Sequence, residues 1–272
     1  MQLQAAKRRF EHRGIKLAAI SYDRRAILED FARRHRIAFP LLADPDSKII
    51  TSYRVLNESA TGITKGMAHP GFFYLDPAGV IRETYFETKY TDRFTPNNVI
   101  AKLFPELVEE VRRTVDAPHL KLTMAQSDRI GIPGSRVSLA LEVTLPARTH
   151  VYAPDVKGGY IPIALSITPS PDIELAAASY PPAQTLYLDV IKEEVPVFGG
   201  TFRIVQDLKI ATTKTMLESL GNSGKAIDIT GVFKYQACDD KVCYPPTAVP
   251  VTWRLQALPL DRTRSPDAIR HQ

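Results

Sequence analysis

Two alternating runs converge on one short loop near the end of the chain, and this constrains the fold more than any other feature. Residues 226–235, A-I-D-I-T-G-V-F-K-Y, place apolar side chains at every second position, the period of a half-buried strand. Residues 248–255, A-V-P-V-T-W-R-L, repeat the pattern. Between them lie both cysteines of the chain, Cys238 and Cys243, separated by D-D-K-V. The spacing predicts an antiparallel hairpin with a four-residue connection. Residues facing each other across such a ladder have Cα atoms about 4.5–5.5 Å apart. That overlaps the window for a disulfide, so the two sulfurs can join with little backbone movement.

Three chemistries fit a pair placed this way. A structural staple is one, although closing so short a loop contributes only about 2 kcal/mol in the chain-entropy model. A zinc half-site is the second. It needs two further ligands, and none of the six histidines (His12, His35, His69, His119, His150, His271) stands three to five residues from another, so no metal is expected. A redox-active pair is the third, because a local disulfide at a hairpin tip is easily presented to a partner thiol. No cofactor is expected.

The letters around the pair, Y-Q-A-C-x-x-x-x-C-Y-P-P, resemble the active-site hairpin of the N-terminal, immunoglobulin-like domain of DsbD thiol–disulfide interchange proteins. H-V-Y-A-P (150–154), G-G-Y-I-P (158–162), Y-P-P (180–182) and V-P-V-F-G-G (195–200) follow in the order of that domain, over roughly residues 118–258. The cysteine spacing is one residue shorter than in the best-known members. The resemblance implies that Cys243 forms the mixed disulfide and Cys238 resolves it. It also implies an aromatic cap, with Phe198 as the matching residue; a place in the sandwich core is the other reading of Phe198. Tyr235 and Tyr244, flanking the cysteines, are further candidates for shaping the site. A periplasmic setting and a thioredoxin-like or other thiol–disulfide exchange partner are implied in the same way.

At 272 residues the chain has room for two cores. Apolar and charged contents of 44% and 24% are those of an ordinary globular protein. No apolar run reaches the length of a membrane span, and M-Q-L-Q-A-A-K-R-R-F-E lacks the apolar core of a signal peptide. The net charge of +5 lies in the first 113 residues, with 19 Lys/Arg against 14 Asp/Glu; the remainder balances at 16 against 16. Arg24-Arg25 and Arg33-Arg34 fall on helical patterns as solvated faces. Nucleic-acid binding would need a denser basic patch with interleaved aromatics, so no such partner is expected.

The first part reads as alternating helices and short strands: a helix ending at Gly14, a strand over 15–21, a helix over 24–36 capped by Asp23, and an extended piece at 39–43. A helix over 48–55 and a hairpin of 71–75 with 80–86 follow, then a helix from Thr95, interrupted at Pro105, to about Val115. A-A-I-S-Y-D, F-A-R-R-H-R-I-A-F-P-L-L-A-D-P-D and H-P-G-F-F-Y-L-D-P-A-G-V-I-R resemble the central and C-terminal parts of AhpC/TSA-type peroxiredoxins. Pro70 matches the cis-proline of thioredoxin folds; an ordinary trans bond is the other reading. In that family the reactive cysteine lies on a first βα unit, and here no cysteine precedes Cys238. Residues 1–4 resemble the middle of the helix that follows it. Either the unit is lost, or the true start lies upstream.

The expected architecture is therefore a truncated α/β thioredoxin-like domain over 1–115 and an all-β immunoglobulin-like sandwich over 118–258. Asp116-Ala117-Pro118 is the expected linker, and 259–272 a polar tail. Within the loop, Asp239 and Asp240 raise the thiol pKa of Cys238 and Lys241 opposes them. A pair so balanced suits a relay of electrons between thiols, tied in a fuller-length form to peroxide reduction. A non-catalytic binding module with a structural disulfide and a degenerate redoxin domain is the alternative.

Overall fold

The computed structural model describes residues 2–104, 112–188, 192–260 and 266–269. It divides into two compact units, Met1–Ile100 with Leu260–Gln272, and Ala101–Pro259.

The first unit follows the expected order with shortened ends: α1 (Gln2–Glu11), β1 (Ala19–Ser21), α2 (Arg25–His35), β2 (Leu41–Ala43), α3 (Lys48–Ser52), β3 (Gly71–Leu75), β4 (Ile81–Phe86) and β5 (Arg93–Phe94). Helix α1 ends before Gly14, whose φ of +71° is the left-handed conformation that suits glycine. β1 runs parallel to β2, and β3 pairs antiparallel with β4, as two separate two-stranded sheets. The turn between β3 and β4 is closed by Asp76, whose Oδ1 accepts the N–H groups of Ala78 and Val80. Arg33 and Arg34 are not merely solvated: both donate to the carboxylate of Asp30 at 2.8 Å. Asp23 does not cap α2. Arg24 occupies the N-cap position without a side-chain bond, and Asp23 accepts from Ser21 Oγ instead. The bond before Pro70 is trans, since no cis peptide bond occurs among the described residues. This corrects the expectation drawn from thioredoxin folds, and trans is the isomer X–Pro bonds favour by about 0.5–1 kcal/mol unless packing reverses it.

Helix α4 (Pro96–Leu103) is capped by Thr95, whose Oγ1 accepts the N–H of Asn98. Its expected extension past Pro105 lies outside the described residues over 105–111, and over 113–115 the chain is strand rather than the helix expected to about Val115. The expected linker at Asp116–Pro118 is replaced by β6 (Arg113–Ala117), which pairs antiparallel with β7 (Leu120–Gln126). Alternation in R-T-V-D-A puts Val115 and Ala117 against the sandwich core, so the segment gains more as an edge strand than as a free connection. Most of the expected tail lies outside the described residues.

The second unit continues with β8 (Ile130–Gly131), β9 (Ser135–Thr144), β10 (His150–Tyr152), β11 (Ala164–Ile167), β12 (Ile173–Ser179), β13 (Gln184–Leu188) and β14 (Glu193–Gly199). After β15 (Thr201–Ile210) come α5 (Lys214–Leu220), β16 (Lys225–Tyr235), β17 (Ala237–Cys238) and β18 (Thr247–Ala257). One sheet has the order β12-β15-β9-β7-β6 and a second β11-β16-β18-β8. A third, β13-β14-β10-β17, carries the cysteine segment.

The core is built from the period-2 faces. Ile227, Ile229, Phe233 and Tyr235 of β16 join Val251, Trp253 and Leu255 of β18, and meet Val137, Leu139, Leu141 and Val143 of β9 and Ile204, Leu208 and Ile210 of β15. The indole N–H of Trp253 donates to Ala125 O at 2.9 Å, so the one polar atom of that ring is satisfied inside the core. Gly231, paired with Ile167 of β11, has no room for a side chain: a Cβ there would lie 2.6 Å from Ser166 O.

A candidate redox site at a disulfide hairpin

The ladder of β16 with β18 runs from Lys225↔Ala257 to Tyr235↔Thr247, as the alternation predicts. The cysteines do not extend it. Past Tyr235 the chain leaves this sheet, and β17 pairs with β10 in the third sheet, Ala237 with Val151 and Cys238 with His150. Pro245 and Pro246 supply no N–H on the return side, so the long ladder cannot continue there. Gln236 Nε2 donates to Tyr244 O and Tyr244 N to Ala237 O, both at 2.9 Å, closing a small secondary hairpin. Within it Cys238 and Cys243 face each other as an isolated antiparallel bridge, one residue out of register with the long ladder.

The two sulfurs form a disulfide, with Cα atoms 4.0 Å apart. Its halves differ sharply in access: Cys238 is 1% exposed, whereas Cys243 lies in the exposed loop. Cys238 packs with Tyr152, Val195 and Val197, flanked by Tyr160 and Leu186. The Tyr152 hydroxyl lies 3.8 Å from Cys243 Sγ and 3.9 Å from Cys238 Sγ, so its O–H can donate to either sulfur. Burial pushes the Tyr152 phenol pKa up and keeps that proton in place. The rings of Tyr152 and Tyr160 are 4.6 Å apart, and Tyr160 donates to Glu193 at 2.7 Å, which pushes its own pKa to about 12.

The turn D-D-K-V is held by its first residue. Asp239 N donates to Val242 O, Asp239 Oδ1 accepts the N–H groups of Lys241 and Val242, and Tyr244 donates to Asp239 Oδ2 at 2.7 Å. Tyr244 also stacks on His119 with centroids 3.6 Å apart. Asp240 pairs with Arg148. The bond from Tyr244, with the two backbone bonds, lowers the Asp239 pKa to about 2. A depressed carboxylate contributes stability that is present above its ordinary pKa of about 3.9 and is lost as pH falls through the folded value. The amide resonances of Lys241 and Val242 are therefore expected to hold constant from pH 4 to 9 and to shift only on acidification toward pH 2. In Asp239→Asn, the raised pKa of the Tyr244 phenol should fall back toward the ordinary value; an unchanged Tyr244 titration would remove Asp239 from this role.

The other residues singled out in the sequence are dispersed. Phe198 is 3% exposed and stacks on Phe202 in the main core. In β14 side chains alternate, so Val195 and Val197 face the disulfide and Phe198 faces the core, the other reading of that residue; Tyr152 and the two valines, not Phe198, pack with Cys238. Tyr235 is a core residue 1% exposed, its hydroxyl donating to Pro118 O at 2.7 Å. Pro70 belongs to the first unit. Tyr152, Tyr160, His150 and Glu193 went unrecognised as site residues. The one signal was H-V-Y, which puts His150 and Tyr152 on the same face of a strand. Among the described residues no group of three or more His, Cys, Asp or Glu could hold a metal.

The site is thus a short-loop disulfide, buried on one side, exposed on the other and in reach of a phenol. Residues 121–252 match the family of the N-terminal domain of thiol:disulfide interchange protein DsbD. Residues 1–84 match the AhpC/TSA family. The first match covers the whole disulfide site and most of the sandwich, and the second ends within β4. No curated protein matches the chain significantly. Among solved structures, the N-terminal periplasmic domain of ScsB from Proteus mirabilis aligns at 14% identity and TM-score 0.35, over 52% of this chain and 49% of that one. The reduced DsbD N-terminal domain of Neisseria meningitidis aligns at 14% identity and TM-score 0.29, over 44% and 82%. The chain thus spans about half the length of the ScsB structure. In the DsbD-like segment, thiol–disulfide interchange is the chemistry to which the family points; no helix among the described residues is long and apolar enough to cross a membrane.

Proposed function

We propose that the chain is a thiol–disulfide redox protein that relays electrons through Cys238 and Cys243, exchanging with a thioredoxin-like dithiol partner. The observation that carries this is the asymmetry of the pair: Cys243 is exposed and Cys238 is 1% exposed. An incoming thiolate meets Cys243 Sγ, and Cys238 Sγ is the leaving and resolving sulfur, shielded from competing thiols. The hydroxyl of Tyr152 stands where it can donate to the departing sulfur. Equilibration with dithiothreitol or glutathione redox buffers tests the reading. The expected midpoint lies above about −300 mV, the range below which structural disulfides of secreted proteins sit. A bond that stays oxidised in strongly reducing buffer while the protein remains folded would return it to a structural staple.

Peroxide reduction through the first unit is not expected of this chain. Thiol-dependent peroxidase chemistry begins with a thiolate becoming a sulfenic acid, and residues 1–237 contain no cysteine. The Cys238→Ala/Cys243→Ala protein should show no thiol-dependent peroxide turnover above buffer; turnover that survives both substitutions would refute this.

A further inference from the structure

His150 is the strand partner of Cys238 and shares its face of the sheet with Tyr152, on whose ring its own ring stands edge-on at 5.5 Å. Directly opposed residues in an antiparallel pair have Cβ atoms about 4.5–5.5 Å apart and project from the same face of the sheet, which places the imidazole and the Cys238 side chain on one face at opposed positions. His150 Nε2 is buried, and it has no hydrogen-bond partner among the described residues. A buried ring nitrogen left without a partner has lost its water and gained no hydrogen bond in exchange, so a state that supplies it with a partner is favoured relative to this one. In the disulfide state neither sulfur carries a proton or a charge to offer it.

Building on the exchange reading, we propose that His150 is the counter-ion of Cys238. It takes up a proton from water when the disulfide opens and holds the buried sulfur as a thiolate. The chemistry balances as follows. A partner thiolate attacks Cys243 Sγ, a new S–S bond forms between them, and the Cys238–Cys243 bond breaks with its electron pair leaving on Cys238 Sγ. The second thiolate of the partner then attacks the partner's own sulfur in that mixed disulfide, releasing Cys243 as a thiolate. The partner dithiol is oxidised to a disulfide, and the pair in this chain is reduced. Cys238, 1% exposed, has little water to solvate its charge, so an adjacent imidazolium substitutes for solvent, as in histidine-paired cysteines of low pKa.

The charged and titratable groups facing His150 set the sign. Asp239 and Asp240, on the loop after β17, favour the imidazolium, although the pairing of Asp240 with Arg148 weakens its share. Lys241 follows them in the same loop. On its own strand the neighbour is Tyr152, and on β14 the facing residue is Gly199, which carries no charge. Burial outweighs the two aspartates and holds the imidazole pKa below its ordinary value while the disulfide is closed. A thiolate at Cys238 adds the missing negative charge on the buried side.

The test is an NMR titration of His150 in the full chain, oxidised and after reduction by dithiothreitol. The reduced form should bind the proton at least tenfold more tightly than the oxidised form. In Cys243→Ala, thiolate absorbance near 240 nm should persist to lower pH than in His150→Gln/Cys243→Ala, with the midpoint displaced by at least tenfold in proton affinity. Identical His150 titrations in the two redox states would overturn the proposal, as would identical thiolate titrations in the two variants. The NMR comparison needs no substitution, so it decides even where His150→Gln fails to fold. Mixed-disulfide trapping by Cys238→Ala leaves His150 in place. Trapping without a His150 shift would overturn this inference alone, and failure of both would overturn the exchange reading with it.

Discussion

Cys238→Ala is expected to accumulate a mixed disulfide through Cys243 when the reduced variant meets an oxidised thioredoxin-like protein, and Cys243→Ala to trap at least tenfold less. The remaining Cys243 thiolate in the first variant is exposed, so it can attack the partner disulfide. The thiol that would resolve the complex is gone, so the complex persists. In the reciprocal variant the remaining sulfur is 1% exposed beneath Tyr152, Val195 and Val197, and a partner disulfide cannot align with it. Non-reducing electrophoresis followed by mass mapping reads both outcomes. Equal trapping would discard the division of labour and keep the exchange. Trapping by neither variant, with a bond that also resists reduction, would leave a structural disulfide.

The second large effect separates the core from the disulfide as the source of stability. Phe233→Ala is expected to cost about 3–5 kcal/mol, the range for removing a large aromatic side chain from a packed interior. Phe233 is 0% exposed, lies opposite Val249 on one side and Leu165 on the other, and stacks on Tyr235 at 5.5 Å. Replacing both cysteines by alanine should cost about 2 kcal/mol or less, because the bridge closes a loop with a sequence separation of only 5. Urea unfolding followed by the single tryptophan, Trp253, which is 3% exposed in the same core, measures both. A loss from the double cysteine variant that matched Phe233→Ala would show that the fold depends on its disulfide. That would favour the staple over the relay.

The long strands were legible because their information is local. β16 and β18 alternate over eleven residues each, and β9 and β15 carry nearly unbroken apolar faces, so period alone fixes which side chains point inward. The turn chemistry of D-P-A-G and the glycine after α1 act through their own φ and ψ and were equally readable. The disulfide followed from the short spacing of the two cysteines, and the families from the letters around them. Short strands were another matter. β10 and β17 have three and two residues, too few for a period to emerge, and β6 read as the end of a helix.

What only the tertiary structure decided is which sheet the cysteine loop joins. Alternation assigns a side chain to one face of its own strand, but it carries no information about the strand that will lie alongside. The proline pair ended one ladder, and the open edge of β10, some ninety residues earlier in the chain, offered another to β17. That one pairing buried Cys238 and left Cys243 exposed. It brought Tyr152 to both sulfurs and set His150 opposite Cys238. Residue types and spacing determined that the chain holds a short-loop disulfide on a β-sandwich. The difference in exposure between the two sulfurs arises from backbone hydrogen bonds between segments distant in sequence, and it exists only once the sheets have assembled.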